Sequence, residues 1–165
     1  MVGAVAIAEI IEGFGADTVA IKWPNDVLLK GRKVCGILPE AVWDGDQLQG
    51  VALGIGVNVR VDFAGTELVG IATSIEAELD VTLDRADVLV KLLERIDYWY
   101  ERLDSPQLLA AWKDRMSMLG QQVTISSVHG DLNGIAEGID EDGTLLVRDE
   151  DGELNRVVAG DVAIN

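Results

Sequence analysis

The chain has 165 residues, 48% of them hydrophobic and 25% charged, a balance that supports a buried core and excludes a disordered chain. Its 13 Lys and Arg stand against 29 Asp and Glu, a net charge of −16, which argues against a protein that grips nucleic-acid phosphates. A single cysteine, Cys35, excludes an intrachain disulfide and reads as a small buried hydrophobe, while a single histidine, His129, leaves too few ligands for a zinc site.

No segment reaches the roughly 20 apolar residues that cross a bilayer, and Glu9 and Glu12 interrupt the apolar N-terminal run, which also lacks a basic lead. Membrane partners are therefore excluded and a cytoplasmic protein is expected. Ile7, Ile10, Ile11 and Phe14 recur at helical spacing and predict a first helix, stopped by Gly13 and Gly15. The chain opens inside that helix. "TVAIKW" predicts a buried strand, and Pro24-Asn25-Asp26 a turn. "VLL" and "VCGIL" flank a hairpin at Lys30-Gly31-Arg32, and "EAVW" and "LQGVALGIGVNVRV" flank a second at Asp44-Gly45-Asp46. Three or four antiparallel strands should follow the first helix.

Thr73 and Glu76 fit a capping box for a short helix, "SIEAEL". A long helix is expected from about Arg85 to Leu103, with Leu89, Leu92, Leu93, Ile96, Trp99 and Leu103 as its core stripe. Ser105 and Pro106 open another helix, carrying Leu109, Trp112 and Met116 inward. After Leu119-Gly120 come "QQVTI", "NGIAEGI", "TLLVRD" and "LNRVVAG", strands separated by turns at "HGD", "DEDG" and "EDGE". They predict an all-β module of about 45 residues that leans on the helices before it.

Two stretches carry candidate chemistry. Lys22, Lys30, Arg32 and Lys33 gather around the Pro24-Asn25-Asp26 turn of a chain poor in cations. A solvated turn and hairpin tip is the plain reading. The combination also suits phosphate binding, with ammonium groups against phosphate oxygens and a carboxylate and an amide beside a metal ion. In "GIGVN", Gly54 to Asn58, two glycines weaken a strand. They mark either a bulge, which the residues favour, or the close approach of a ligand whose base Asn58 could read.

"KWPNDVLLKGRKVCGIL", followed by "GIGVNV", "ATSIEAEL", "GIDEDGTLLV" and "AGDVAI", resembles the biotin protein ligases over essentially the whole chain. The resemblance implies an α+β fold: a partial class-II-synthetase-like antiparallel or mixed sheet with helices at 1–117, then a small C-terminal β-barrel at 118–165. It implies ATP-dependent formation of biotinyl-5′-AMP and transfer of biotin to a lysine of a carboxylase's biotin carboxyl carrier domain. ATP, biotin and Mg2+ are the implied small molecules. Lys33 and Lys22 would be catalytic. Asn25, Asp26, Gly36, Gly54, Gly56 and Asn58 would line the biotin and adenylate pocket, with Asp26 a candidate magnesium ligand. "RVDFAGTELVGIATS" would be the adenylate-binding loop, with Phe63 its one aromatic, and Pro39 departs from the family pattern by placing an edge or bulge in its strand.

Family members also carry an upstream glycine- and arginine-rich loop and a strand that grips biotin. No Gly-Arg-Gly run occurs in these residues. The expectation is therefore the C-terminal part of such an enzyme, inactive in transfer by itself. The alternative is a non-catalytic remnant that binds the carrier or dimerises, a second copy being its candidate partner. No helix-turn-helix precedes the domain here, so repression by these residues is not expected.

Overall fold

The computed structural model describes residues 1–127 and 130–165, so the turn expected at His129 lies outside the described residues. Helix α1 (Val2–Gly13) is buried almost all round, from Gly3 to Ala8 and again at Ile10 and Ile11. Its small residues let it sit close to the sheet: a Cβ on Gly3 would stand 3.3 Å from Ile55 Cδ1. Its polar positions meet partners from later in the chain. Glu9 accepts from Arg95 and from the Trp99 indole at 3.0 Å, and Glu12 pairs with Arg115 at 2.8 Å.

Strands β1 (Val19–Lys22), β2 (Asp26–Leu29), β3 (Arg32–Asp44) and β4 (Gln47–Val57) form one sheet in that order, antiparallel throughout. The hairpin tips take the left-handed backbone the turn signals demand, with φ of 50° at Lys30, 80° at Gly31 and 58° at Gly45. Ile37, Ile55 and Leu53 face α1; on the sheet's other face Gly54 and Gly56 are exposed. Ile37 gives its amide to Asn25 O. The nitrogen of Pro39, two residues on, faces the same side, where β2 has already ended, so its missing N–H leaves no bond unmade.

The pairing overturns the bulge expected at "GIGVN". Gly36 faces Gly56 and Leu38 faces Gly54 in regular register, and the shift in this hairpin lies at Val42/Trp43. The capping box at Thr73 does not form either. Ser74 is the N-cap of α2 (Ile75–Leu79), and Glu76 turns to Arg60 and the Leu83 amide instead.

Helix α3 (Arg85–Tyr100) is shorter than expected, and its core face is Val88, Leu92 and Trp99. Leu89, Leu93 and Leu103, assigned to the core from spacing, are exposed, because α1 packs against α3 and covers one side of it. Helix α4 (Pro106–Lys113) is capped by Ser105, whose Oγ accepts from Leu108 N, and buries Leu108 and Trp112.

A second antiparallel sheet contains β5 (Gln122–Ser127), β6 (Gly130–Ile139), β7 (Leu145–Asp149), β8 (Leu154–Val157) and β9 (Asp161–Ile164), ordered β8-β7-β6-β5-β9. Among the described residues β8 and β9 are the two edges of this sheet and no pairing closes it into the expected barrel. Val123, Ile125, Leu145 and Val147 belong to the same buried cluster as α1. The two sheets therefore share one core, and no described helix is long and apolar enough to cross a membrane.

Candidate functional site

A row of aligned residues crosses the first sheet on its open face. Lys22 faces Asp26, Asp26 faces Gly36, and Gly36 faces Gly56. The neighbouring residues Ile21, Val27, Cys35 and Ile37 are buried on the far side. Strand alternation thus turns the row outward. With no side chains at Gly36, Gly54 and Gly56, this face has a bare floor on which a flat group can lie against backbone.

Lys33 lies over that floor. A Cβ on Gly36 would meet Lys33 Cε at 3.2 Å and Nζ at 3.3 Å. The ammonium is held by Asp26 Oδ1 at 2.6 Å, with Lys33 42% and Asp26 18% exposed. The pair stays open to solvent, so it is worth only about 0.2–1 kcal/mol to stability, and the ammonium remains free to take a second anionic partner. Beneath them the Cys35 thiol is pushed up to about 12, first by burial and then by the Asp26 charge, which makes it inert as a nucleophile.

The turn before Asp26 contains a cis Trp23–Pro24 peptide. Asn25 donates its side-chain amide to Ile37 O at 2.8 Å and pins β3 against the turn. Trp23 is buried and donates to Gly143 O at 3.0 Å, so the turn is anchored to the loop joining β6 and β7 of the second sheet. Lys22 also reaches that sheet, pairing with exposed Asp161 at 3.0 Å. The structure brings Lys33, Asp26, Gly36 and Gly56 together but engages the Lys22 ammonium elsewhere. Asn58 follows the end of β4 and gives its backbone amide to Val34 O, while its carbonyl accepts from Ile75 N, both at 2.9 Å.

Beside Lys33 the sheet continues with a different partner. Lys33 N donates to Ile71 O and Lys33 O accepts from Thr73 N, each at 2.9 Å, in a parallel bridge. Segment 60–71 loops out between β4 and this bridge. Arg32, Phe63, Val69, Ala72 and Thr73 line a cavity of about 190 Å3 under it. The loop is rooted by Arg60, which donates to Glu76 at 2.5 and 2.7 Å. That guanidinium, with the Leu83 amide, holds the Glu76 carboxyl at about 2.

One residue of this neighbourhood was invisible in the sequence. Glu78, 5% exposed, accepts from Arg32 and from Thr73 Oγ1 at 2.5 Å, and its backbone carbonyl accepts from Lys30 Nζ at 2.7 Å. Two of the four clustered cations are thereby engaged, which leaves Lys33 as the cation over the glycine floor. Among the described residues, no group of three or more His, Cys, Asp or Glu is placed to hold a metal ion. Asp26 is a single carboxylate already met by an ammonium, so the described residues alone offer no metal cage.

Comparison with known proteins matches residues 1–58 to the biotin/lipoate A/B protein ligase family and residues 118–164 to the biotin protein ligase C terminal domain. The bifunctional ligase/repressor BirA of Bacillus subtilis is 32% identical over 172 residues, covering 99% of this chain and 52% of that protein. A biotin–[acetyl-CoA-carboxylase] ligase of Paracoccus denitrificans is 37% identical over 139 residues, covering 81% of this chain and 58% of that protein. The chain therefore spans about half the length of the curated relatives it matches. The Aquifex aeolicus biotin protein ligase, solved in complex with biotin and ATP, superposes with a TM-score of 0.82 at 27% identity, covering 99% of this chain and 69% of that one. Both matched regions, the relatives and the fold agree, and the chain belongs to the biotin protein ligase family.

Proposed function

We propose that these residues form the adenylate-facing part of a biotin–[acetyl-CoA-carboxylase] ligase. The observation that carries the reading is the Lys33 ammonium held over the glycine floor of Gly36 and Gly56. In the first step a biotin carboxylate oxygen attacks the α-phosphorus of ATP, the bond to the β-phosphate oxygen breaks, and pyrophosphate leaves. In the second, a carrier lysine amine attacks the biotinyl carbon, AMP leaves, and the amine loses its proton. Charge grows on phosphate oxygens in the first step, and a fixed ammonium stabilises it where water is thin.

In this reading Asp26 holds Lys33 in place until the anion arrives, and Gly54, Gly56 and Asn58 border the ligand. Phe63 and the 60–71 loop flank the adenine, and Lys22 serves the phosphates from the edge of the row. Asp26 is the one carboxylate of this face that could help hold a magnesium ion brought by the ATP phosphates, where the ion would screen the phosphate charge. The partner is a biotin carboxyl carrier domain, in the cytoplasm; the first sheet with its helices (1–117) forms the site, and the second unit (118–165) anchors it through Gly143 and Asp161.

Transfer of biotin to a carrier domain, with ATP and Mg2+, tests the reading. No transfer is expected from the 165 residues alone, because they hold no Gly-Arg-rich loop to position biotin. Adding the N-terminal half of the Paracoccus denitrificans relative as a separate polypeptide should start it, and Lys33→Ala should stop it again without unfolding the chain. Transfer by the chain alone, or an unchanged rate in Lys33→Ala, contradicts the proposal. A second reading, a non-catalytic module that binds the carrier or forms a homodimer, draws on the sheet edge at β4 with Leu38, Trp43 and Val51 exposed around it. Under that reading supplementation starts no transfer.

A further inference from the structure

Glu78 is the least exposed carboxylate in any ion pair among the described residues, and it lies in α2, away from the glycine floor. Its carboxylate accepts from the Arg32 guanidinium and from Thr73 Oγ1 at 2.5 Å. Arg32 immediately precedes Lys33 in β3. Thr73 gives its amide to Lys33 O, and the Lys33 amide goes to Ile71 O. Both backbone groups of Lys33 are thus locked to segment 71–73, and Glu78 clamps that segment to the residue before Lys33. Its backbone carbonyl takes the Lys30 ammonium as well, so one residue ties down the whole Lys30–Lys33 hairpin.

We propose that Glu78 is a positioning residue for Lys33, fixing the register in which the ammonium lies over Gly36. The inference rests on the adenylate reading of the site. Three facts separate it from a generic ion pair. The carboxylate is buried, so neutralising it leaves Arg32 with an unpaired charge in a half-buried setting. Its partners sit on both sides of one residue. And they belong to segments about 40 positions apart, joined here by Glu78 through side chains.

A misplacement of about 1 Å at a positioned group can cost about 100-fold, and Glu78 touches the residue before Lys33 and the segment bonded to its backbone, so the effect of Glu78 should pass through Lys33. A double-substitution cycle detects this. The chain is titrated with a sulfamoyl analogue of biotinyl-5′-adenylate, which cannot react. Glu78→Gln should weaken binding about tenfold, and by less than about twofold when Lys33 is already alanine, whereas a merely structural role gives equal losses on both backgrounds. Equal losses overturn the inference and leave the adenylate reading standing. No binding by the unsubstituted chain overturns both.

Hydrogen exchange needs no ligand and probes the clamp independently. In Glu78→Gln the Lys33 and Thr73 amides should exchange at least about tenfold faster, with β5 and β6 amides unchanged. Unchanged exchange at Lys33 and Thr73, or a uniform increase through both sheets, overturns the positioning role.

Discussion

Replacing Gly36 by alanine separates the site from the fold. The added methyl would meet Lys33 Cε at 3.2 Å and Nζ at 3.3 Å, with Asp26 Oδ1 next at 3.7 Å. Its nearest neighbour is the end of a flexible side chain, so Lys33 swings away and the sheet keeps its register. The stability cost is the exposed Lys33–Asp26 pair, about 0.2–1 kcal/mol, offset by the 0.5–1 kcal/mol or so that alanine gains over glycine in a strand. The melting temperature should stay within about 4 °C. The site loses the charge-assisted contact between the ammonium and the anionic acyl-sulfamate that stands in for the phosphate, worth about 1.5–3 kcal/mol, so affinity for the sulfamoyl adenylate analogue should fall roughly 10- to 150-fold. Calorimetric titration reads the affinity and a thermal melt reads the fold. Unchanged affinity, or a melting point lowered by more than about 8 °C, would refute the reasoning.

Gly134→Ala is the opposite case. Its Cβ would fall 2.2 Å from Arg148 O, so the β6–β7 backbone must separate, and a loss of more than about 2 kcal/mol is expected in urea unfolding. Glu76 is held at about 2, below the usual carboxylate value, so it stabilises the folded chain above its unfolded pKa and loses that contribution as pH falls through its folded one. The gap in melting temperature between the native chain and Glu76→Gln should therefore shrink from about pH 5 to pH 2, and a constant gap would contradict the assignment. Cys35, with its thiol raised to about 12, should resist iodoacetamide at about pH 8 in the folded chain and react fully in urea. Stoichiometric labelling of the native protein would count against its burial.

The hairpins were legible because their turns are local. Lys30-Gly31 and Asp44-Gly45 need left-handed backbone, and glycine or a loop residue next to it says so directly. Lys33, Asp26 and Gly36 could be nominated from motif order. The reason for two glycines in "GIGVN" could not. Regular pairing of Gly36 with Gly56 is a long-range fact, and a local reading favours a bulge. Helix α3 shows a second limit. Apolar residues lie on more than one of its sides, so spacing cannot tell Leu89 and Leu93, which are exposed, from Val88 and Leu92, which are buried. Glu78 was hidden for the same reason as the glycine pair. Its bond to Arg32 spans 46 positions, and in sequence it is one acid among 29.

The most direct test of the central claim is a map of backbone amide shifts as the isotope-labelled chain is titrated with the sulfamoyl adenylate analogue. Shifts should concentrate at 33–36, 54–58 and 60–73 and leave β7 and β8 untouched. An absence of shifts at saturating analogue, or shifts centred on the second sheet, would contradict the assignment of Lys33 and the glycine floor as the adenylate site.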